Sequence, residues 1–393
     1  MSGYTLPERL WSRGRNVLAA VALAGWAGCA LAWRADPVRG SAAYLVAYVF
    51  FLTLALGALF FVMMSHLTGS AWSVTMRRIS ENVMVTIPSG AVLFLPIAFG
   101  LGSLYAWARP EAVANDPVLA GKAVFLNPRF FLIRAAVYFA IWSFWAVKLY
   151  RGSVSQDRET SLRKTRSAER WSAPGMLILT VTVALASFDW LMSLDPHWYS
   201  TMFGVYVYSG AGLAFFAVLT LLLLVLRGAG LLRQSVNQEH YHDLGKWLFG
   251  LTVFWAYIAF SQYMLIWYAN LPEETVWFRD RLVGSWRWVA AVLVLGHFFV
   301  PFLVLISRAA KRRLGILGAA AVWILVMHYT DLYWIAMPVF SKAGFAPSWF
   351  DAAALAAIGG TFGLVFWSRL RRHALAPTGD IRFERSLEFT NVF

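Results

Sequence analysis

The main pattern along the chain is a series of long apolar stretches separated by short polar ones. Ten stretches each hold about 20 mostly apolar residues, the length that a helix needs to cross the hydrocarbon core of a bilayer. They cover residues 15–33, 43–66, 84–107, 130–149, 173–193, 203–226, 247–268, 285–306, 315–335 and 349–368. The pattern predicts an all-α polytopic membrane protein with about ten transmembrane helices.

A faint internal repeat relates two parts of this series. Asp189 and Asp331 each lie near the end of a predicted helix, and each is followed seven positions later by a proline. Arg134 and Arg287 lie near the start of the preceding predicted helices. Parallel repeats of this kind occur in membrane proteins. We therefore expect two related four-helix units.

The repeat predicts how the chain is organised. Predicted helices 2–5, within residues 43–200, form the first four-helix bundle, and helices 6–9, within 201–340, form the second. Helices 1 and 10 flank them, so that residues 1–393 make up a single integral membrane domain. Residues 369–393 form a C-terminal tail.

The positive charges predict the orientation of the helices. With the N-terminus inside, the inner segments hold 23 of the 34 Lys and Arg residues and the outer loops hold 9. Such an excess marks the cytoplasmic side, so both termini and the tail are expected in the cytoplasm. Trp26 and Trp33 lie where a signal peptide would be cleaved, which favours a spanning first helix.

Composition excludes most soluble classes of protein. Hydrophobic residues make up 60% of the chain and charged residues 14%, whereas soluble domains carry about 25% charged residues. The net charge of +14 therefore reflects cytoplasmic loops rather than nucleic-acid binding. The single cysteine, Cys29, excludes a disulfide framework and a self-ligated iron–sulfur cluster. No histidine pair has the arrangement of a b-type haem site, so no bound metal or haem is expected.

Ionisable groups at membrane depth are costly, so they usually have a partner or a function. Such groups can pass protons when they lie within hydrogen-bond reach of one another. The proton-transfer candidates are Asp189, Asp195, His197, His297, His328, Asp331, His66, Glu81 and Lys246.

Several of these groups are predicted to share the outer half of the membrane. A quinol that is oxidised there needs acceptors for two protons. The candidate quinone pocket contains Asp189, His197, Gln262, Tyr263 and Asp331. Purely structural explanations compete with this one. Asp189 and Asp331 could cap a neighbouring helix or form structural ion pairs with Arg134 and Arg287.

Structural explanations also compete at the inner ends of the helices. Glu81 lies three and four residues after two arginines, a spacing that favours ion pairs on one helix face. Lys246 could extend its ammonium group to the membrane interface. His297 could be a hydrogen-bonded core histidine.

Specific strings in the chain resemble a known family. The string SFDWLMSLDPHWYSTMFGVYVYSG (187–210) is similar to one of the two related polytopic membrane subunits of alternative complex III, the bacterial quinol:cytochrome c oxidoreductase. Four further strings carry the same resemblance, over residues 71–84, 126–142, 242–278 and 286–308. Together they extend from about residue 45 to about residue 340.

This resemblance implies more than the residues alone. The family belongs to the NrfD-like, polysulfide-reductase-type membrane subunits, which have two four-helix bundles. It implies a bacterial inner membrane and a related quinol-binding membrane subunit as neighbour. It also implies partner subunits that carry iron–sulfur clusters and c-type haem, whereas the membrane subunit that this chain resembles has no redox centre. Either a proton path or a second quinone site would lie at the candidates within or next to the matching strings, namely Asp189, Asp195, His197, His297, His328 and Asp331.

Two other functions fit the same residues. A secondary transporter would also use buried charges and a two-unit repeat. Against it, no matching pair of helices is interrupted by Gly or Pro at mid-membrane. A structural scaffold subunit would use its buried charges only for assembly.

Overall fold

The computed structural model describes residues 4–390, and they form an all-α structure. Within that range, ten helices are long and apolar enough to span a membrane. They are α1 Glu8–Ala35, α2 Pro37–Leu67, α3 Val74–Phe99, α4 Pro128–Gln156, α5 Leu162–Leu194, α6 Met202–Gly228, α7 Gln238–Ala269, α8 Trp286–Leu305, α9 Leu314–Val339 and α10 Trp349–Leu370. The predicted polytopic all-α fold is confirmed.

Several helices are longer than the apolar stretches that predicted them. Helix α3 begins at Val74 rather than near residue 84, and α7 begins at Gln238 rather than near 247. The charged side chains of the first turns of α3, such as Arg77 and Glu81, are buried and paired. Apolar length therefore identifies the part of a helix that suits the hydrocarbon core and misses the polar turns that continue it.

The ten helices pack as two groups of four with two additional helices. In the first group α2, α3, α4 and α5 pack in sequence, and α5 returns to α2; in the second, α6, α7, α8 and α9 do the same. Helix α2 packs against α6 and α9 of the second group. Helices α1 and α10 pack against each other and against α2. This arrangement agrees with the predicted pair of bundles.

Short helices lie at the two ends of the spanning helices. The backbone N–H of Leu375 donates to the carbonyl of Tyr4, so the first and last described segments meet at one end of the molecule, which we call the terminal end. The opposite, distal end carries short helices between residues 101 and 122 and the helix Pro272–Leu282.

Helix α8 contains a π-helical segment, Leu293–Phe299. Pro301 has no N–H to donate to the carbonyl of His297, which removes one α-helical hydrogen bond. The indole N–H of Trp323 on α9 donates to the carbonyl of Gly296 at 2.7 Å. A Cβ atom on Gly296 would lie 2.7 Å from a side chain of α9, so glycine permits this close approach. Such π-segments are frequent at functional sites.

Candidate functional site

Asp331 is a buried carboxyl group in the distal half of α9. It is 2% exposed. The hydroxyl of Tyr206 on α6 donates to its Oδ1, and the indole N–H of Trp255 on α7 donates to its Oδ2 at 3.3 Å. Among residues 4–390, no Lys, Arg or His forms an ion pair with it. A carboxyl group here is held by two neutral donors and is not paired with a cation of the described residues.

A cavity of about 870 Å³ lies beside Asp331, between the helices of the second group and the helix Pro272–Leu282. Tyr206 and Trp255, the two partners of Asp331, line this cavity. Of the other lining residues, Tyr257 and Phe260 are also exposed on the side of α7. The cavity therefore opens sideways, toward the lipid in a membrane, and reaches to one hydrogen bond from the buried carboxyl group.

Two buried histidines lie near Asp331 and its partner Trp255. The imidazole ring of His297 lies 3.9 Å from the ring of Trp255, centroid to centroid. His328, one helical turn before Asp331, has its Nε2 atom 3.0 Å from the hydroxyl of Thr53 on α2. Neither ring nitrogen of His297, nor Nδ1 of His328, is hydrogen-bonded to a described residue. The second group thus contains a buried cluster whose polar atoms are only partly engaged.

Asp189 has different surroundings in the first group of helices. Its two carboxylate oxygens accept from Nε and Nη2 of Arg134 at 2.8 Å each, and the hydroxyl of Tyr138 adds a third hydrogen bond. The guanidinium of Arg134 lies 3.9 Å and 4.3 Å from the ring centroids of Phe125 and Phe130. A bidentate pair of this kind fixes both partners, so Asp189 holds α4 and α5 together.

The structure does not bring together all five residues of the candidate quinone pocket that the sequence predicts. Gln262 and Tyr263 line the cavity, and Asp331 lies behind its wall. Asp189 does not line it, and His197 pairs instead with Asp116 in the distal loops. Depth alone suggested one pocket, but helices at the same depth belong to two separate groups. The expectation that all five residues share a site is therefore wrong.

The distal pair of Asp116 and His197 is exposed to solvent. Desolvation tends to raise the pKa of Asp116, but backbone N–H groups of Leu119 and Val118 together with His197 lower it below its ordinary value. The remaining distal candidate, Asp195, is partly buried and lies in the electrostatic field of the buried Arg281. These groups belong to the loop surface rather than to the cavity.

The predicted ion pair of Arg287 is not formed. Its guanidinium lies 5.1 Å from the ring of Trp288, and it forms no salt bridge with any carboxylate in the described range. Arg287 lines the distal part of the cavity instead. The repeat predicts for Arg287 the role of Arg134 in the first group, but Arg287 lines the cavity and Asp331 is held by Tyr206 and Trp255 instead.

At the terminal end, Glu81 is part of a buried charge network. Its two oxygens accept from Arg77 at 3.2 Å and from Arg78 at 2.9 Å. Arg78 also forms a salt bridge with Asp157 at the end of α4. Both oxygens of Glu81 are engaged by cations, an arrangement typical of structural ion pairs.

The two other terminal-end candidates differ from Glu81. His66 is buried beside this network, and neither of its ring nitrogens is hydrogen-bonded to a described residue. Lys246 pairs with Asp243, one turn earlier on α7, and its side chain is half exposed. Lys246 therefore lies at the interface, whereas His66 lies inside.

Sequence reasoning missed the C-terminal segment as part of the core. Asp380 accepts a hydrogen bond from Nη2 of Arg77, and Arg382 pairs with Glu169 of α5. Burial tends to raise the pKa of the Asp380 carboxyl, but the charge and hydrogen bond of Arg77 hold the pKa below its ordinary value. The tail covers the terminal end rather than extending into solvent.

Tyr206 and Trp255 were also missed, because aromatic residues in apolar helices give no distinct sequence signal. Over residues 4–390, no group of three or more His, Cys, Asp and Glu side chains is arranged to hold a metal ion. Cys29 is buried in α1. This donor set is compatible with a chain that binds no metal cofactor.

Among known proteins, the chain matches no protein-family model, and no curated protein has significant similarity to it.

Proposed function

We propose that this chain is an integral membrane subunit of a respiratory quinol:cytochrome c oxidoreductase complex, without a redox centre of its own. The observation that carries the proposal is Asp331: a buried carboxyl group without a cationic partner among the described residues, one hydrogen bond behind a cavity that opens sideways. Quinols are apolar molecules that reach their sites from the lipid. They also release protons when they are oxidised, and an acceptor must lie within hydrogen-bond reach.

In this proposal the residues of the second group of helices bind and move protons. Tyr206 lines the cavity and its hydroxyl is hydrogen-bonded to Asp331, so the hydroxyl donates its proton to the carboxylate as it accepts one from the hydroxyl of a quinol in the cavity. His297, whose ring lies against Trp255, and His328, one helical turn before Asp331, are the next groups that can accept it. His66 is the buried terminal-end candidate for the other half of the path.

The electrons need partner subunits. The resemblance of the strings within residues 45–340 supports a related quinol-binding membrane subunit, an iron–sulfur subunit and c-type cytochrome subunits as partners. It also supports the bacterial inner membrane as the location. The excess of Lys and Arg supports a terminal end in the cytoplasm.

Purification of the chain from native membranes tests this proposal. A tag at the C-terminus, gentle detergent and mass spectrometry identify the partners, and a reduced-minus-oxidised spectrum detects haem. We expect c-type cytochrome and iron–sulfur subunits to co-purify with the chain. A chain that purifies alone and colourless would contradict the proposal and favour the secondary transporter. An intact, coloured complex whose turnover is unaffected by changes at Asp331 would favour the scaffold.

A further inference from the structure

Gln262 is a buried amide on the wall of the cavity with incomplete hydrogen bonding. Gln262 is 5% exposed, and its Oε1 atom accepts no hydrogen bond from a described residue. Buried polar groups nearly always have a partner. Because Gln262 lines the cavity, a ligand there that offers a polar atom to this amide group would complete its hydrogen bonding.

The other walls of the cavity indicate a flat, uncharged ligand. Trp277, Phe278 and Trp334 lie at its distal side, and Phe298 and Phe299 lie deeper along α8. Aromatic rings favour stacked or edge-on contact with another ring. Among the described residues no carboxylate lines the cavity, and the one cation that does, Arg287, lies at the distal end of α8.

The length of the cavity exceeds that of a ring alone. Arg287 and Phe299, both lining residues, are 12 positions apart on α8, which corresponds to roughly 18 Å along a helix. Exposed lining residues such as Tyr257 and Phe260 leave a way out between α7 and α8. A ring with an apolar tail fits this shape, with the ring inside and the tail in the lipid.

We propose that the cavity binds the ring of a quinone–quinol pair, and that the Gln262 side chain forms the hydrogen bond that positions one ring oxygen. An amide has both a donor and an acceptor. It can therefore donate N–H to a quinone carbonyl and accept O–H from a quinol at the same place. The choice of a redox-active ring rests on the proposed function; the binding of an uncharged ring at Gln262 rests on the cavity.

A phospholipid is the alternative occupant. Its phosphate would pair with Arg287 at the distal end, and its acyl chains would fill the cavity. That arrangement leaves the amide of Gln262 without a partner, because acyl chains offer no polar atom. The two occupants therefore depend on different residues.

Binding measurements on the full chain in phosphatidylcholine nanodiscs distinguish them. The probes are decylubiquinone, its reduced quinol and phosphatidylglycerol. We expect wild type to bind both ring forms, and Gln262→Leu, which removes the amide but keeps similar volume, to weaken both at least tenfold. Ala291→Phe, which narrows the cavity without removing a polar group, should weaken them similarly. Arg287→Gln should change them less than threefold.

Several results would overturn the proposal. One is that neither ring form binds to wild type. Another is that Gln262→Leu binds them as wild type does. A third is that phosphatidylglycerol displaces the probes in wild type but not in Arg287→Gln. If Gln262→Leu does not fold, as judged by thermal unfolding, Ala291→Phe decides the outcome. The two proposals can fail separately. If ring binding depends on Gln262 but no redox subunit co-purifies with the chain, this inference stands and the proposed function is refuted. Co-purification without binding would do the reverse.

Discussion

Two aspartates at equivalent positions of the repeat have acquired different chemistry. Asp189 is engaged by Arg134 and Tyr138, so it is a fixed charge. Within residues 4–390, Asp331 is engaged only by two neutral donors, Tyr206 and Trp255, at the wall of a cavity. The same residue type therefore forms an ion pair between two helices of one group and has no cationic partner among the described residues in the other, where our proposal assigns it to proton transfer.

Matched substitutions separate these two roles. Asp331→Asn keeps a hydrogen-bond acceptor for Tyr206 and strands no charge, so we expect normal assembly. Quinol oxidation by the purified complex should fall well over tenfold, since a positioned acid or base contributes about 10²–10⁴ in rate. Turnover and proton release equal to wild type would remove Asp331 from the path.

The equivalent change in the first group is the control. Asp189→Asn leaves the buried guanidinium of Arg134 without its carboxylate, which costs about 3–5 kcal/mol. We expect a lower yield of folded protein and a lower unfolding temperature. If Asp189→Asn folded like wild type and only slowed turnover, the distinction between the two aspartates would be refuted.

At the scale of helices, close packing of small residues joins the first and last spanning segments. A Cβ atom on Gly25 of α1 would lie 2.1 Å from the backbone nitrogen of Ala357 on α10. A Cβ atom on Gly360 would lie 2.5 Å from the backbone nitrogen of Ala22. Because the backbones nearly touch, α1 and α10 associate through van der Waals contact, as small-residue interfaces do in membranes.

This packing predicts that two glycine substitutions differ in their effect on the free energy of unfolding. Gly25→Ala should lower the free energy of unfolding by about 1–3 kcal/mol, the usual cost of overpacking. Gly250→Ala on α7 is the matched control, since nothing lies within 4 Å of its Cβ position; it should be neutral or slightly stabilising. Thermal unfolding of both variants in the same detergent measures the difference. Equal stability would show that α1 and α10 can separate without cost.

The sequence predicts the number and order of the helices well, because an apolar stretch of about 20 residues has few alternatives. It predicts depth, but it does not predict which neighbour a helix faces. That is why Asp189 and Asp331 were expected together although they lie in different groups. Gln262 and Tyr263 do line the same cavity, since consecutive residues of one helix lie at nearly the same depth. The aromatic partners of Asp331 carried no sequence signal that separates them from other apolar side chains.

At the scale of the whole molecule, the C-terminal segment connects both groups of helices across the terminal end. Asp380 binds Arg77 of α3, and Arg382 binds Glu169 of α5. The carbonyl of Phe389 accepts from the side chain of Asn237, at the start of α7. The last residues therefore fix the relative positions of the two groups at this end.

The low pKa of Asp380 predicts how this connection depends on pH. Since the folded pKa lies below the ordinary value of about 3.9, the stabilisation is complete above that value and is lost as pH falls through the folded pKa. Arg77, His66 and the backbone of Arg382 are the groups that act on this carboxyl. Asp380→Asn should therefore unfold at a lower temperature than wild type at pH 7, and the difference should shrink as the pH falls below about 3.9.

Proteolysis provides a second measurement of the same prediction. Trypsin should cleave after Arg385 several times faster in Asp380→Asn than in wild type. Glu384→Gln, at an exposed position of the same short helix, should cleave at the wild-type rate. Identical rates in all three proteins would mean that Asp380 does not hold the segment in place.

The contact between Arg77 and Asp380 also has a consequence for biosynthesis. The two residues are 303 positions apart, and a ribosome that adds about 5–20 residues per second needs roughly 15–60 s to make the second after the first. Glu81, made almost at once, neutralises part of the early charge on α3. Arg77 therefore lacks its second carboxylate until 303 further residues have been synthesised. We expect the Arg77–Asp380 ion pair to form late in folding. Truncated chains that lack Asp380 should therefore be recognised by membrane quality control as incompletely folded.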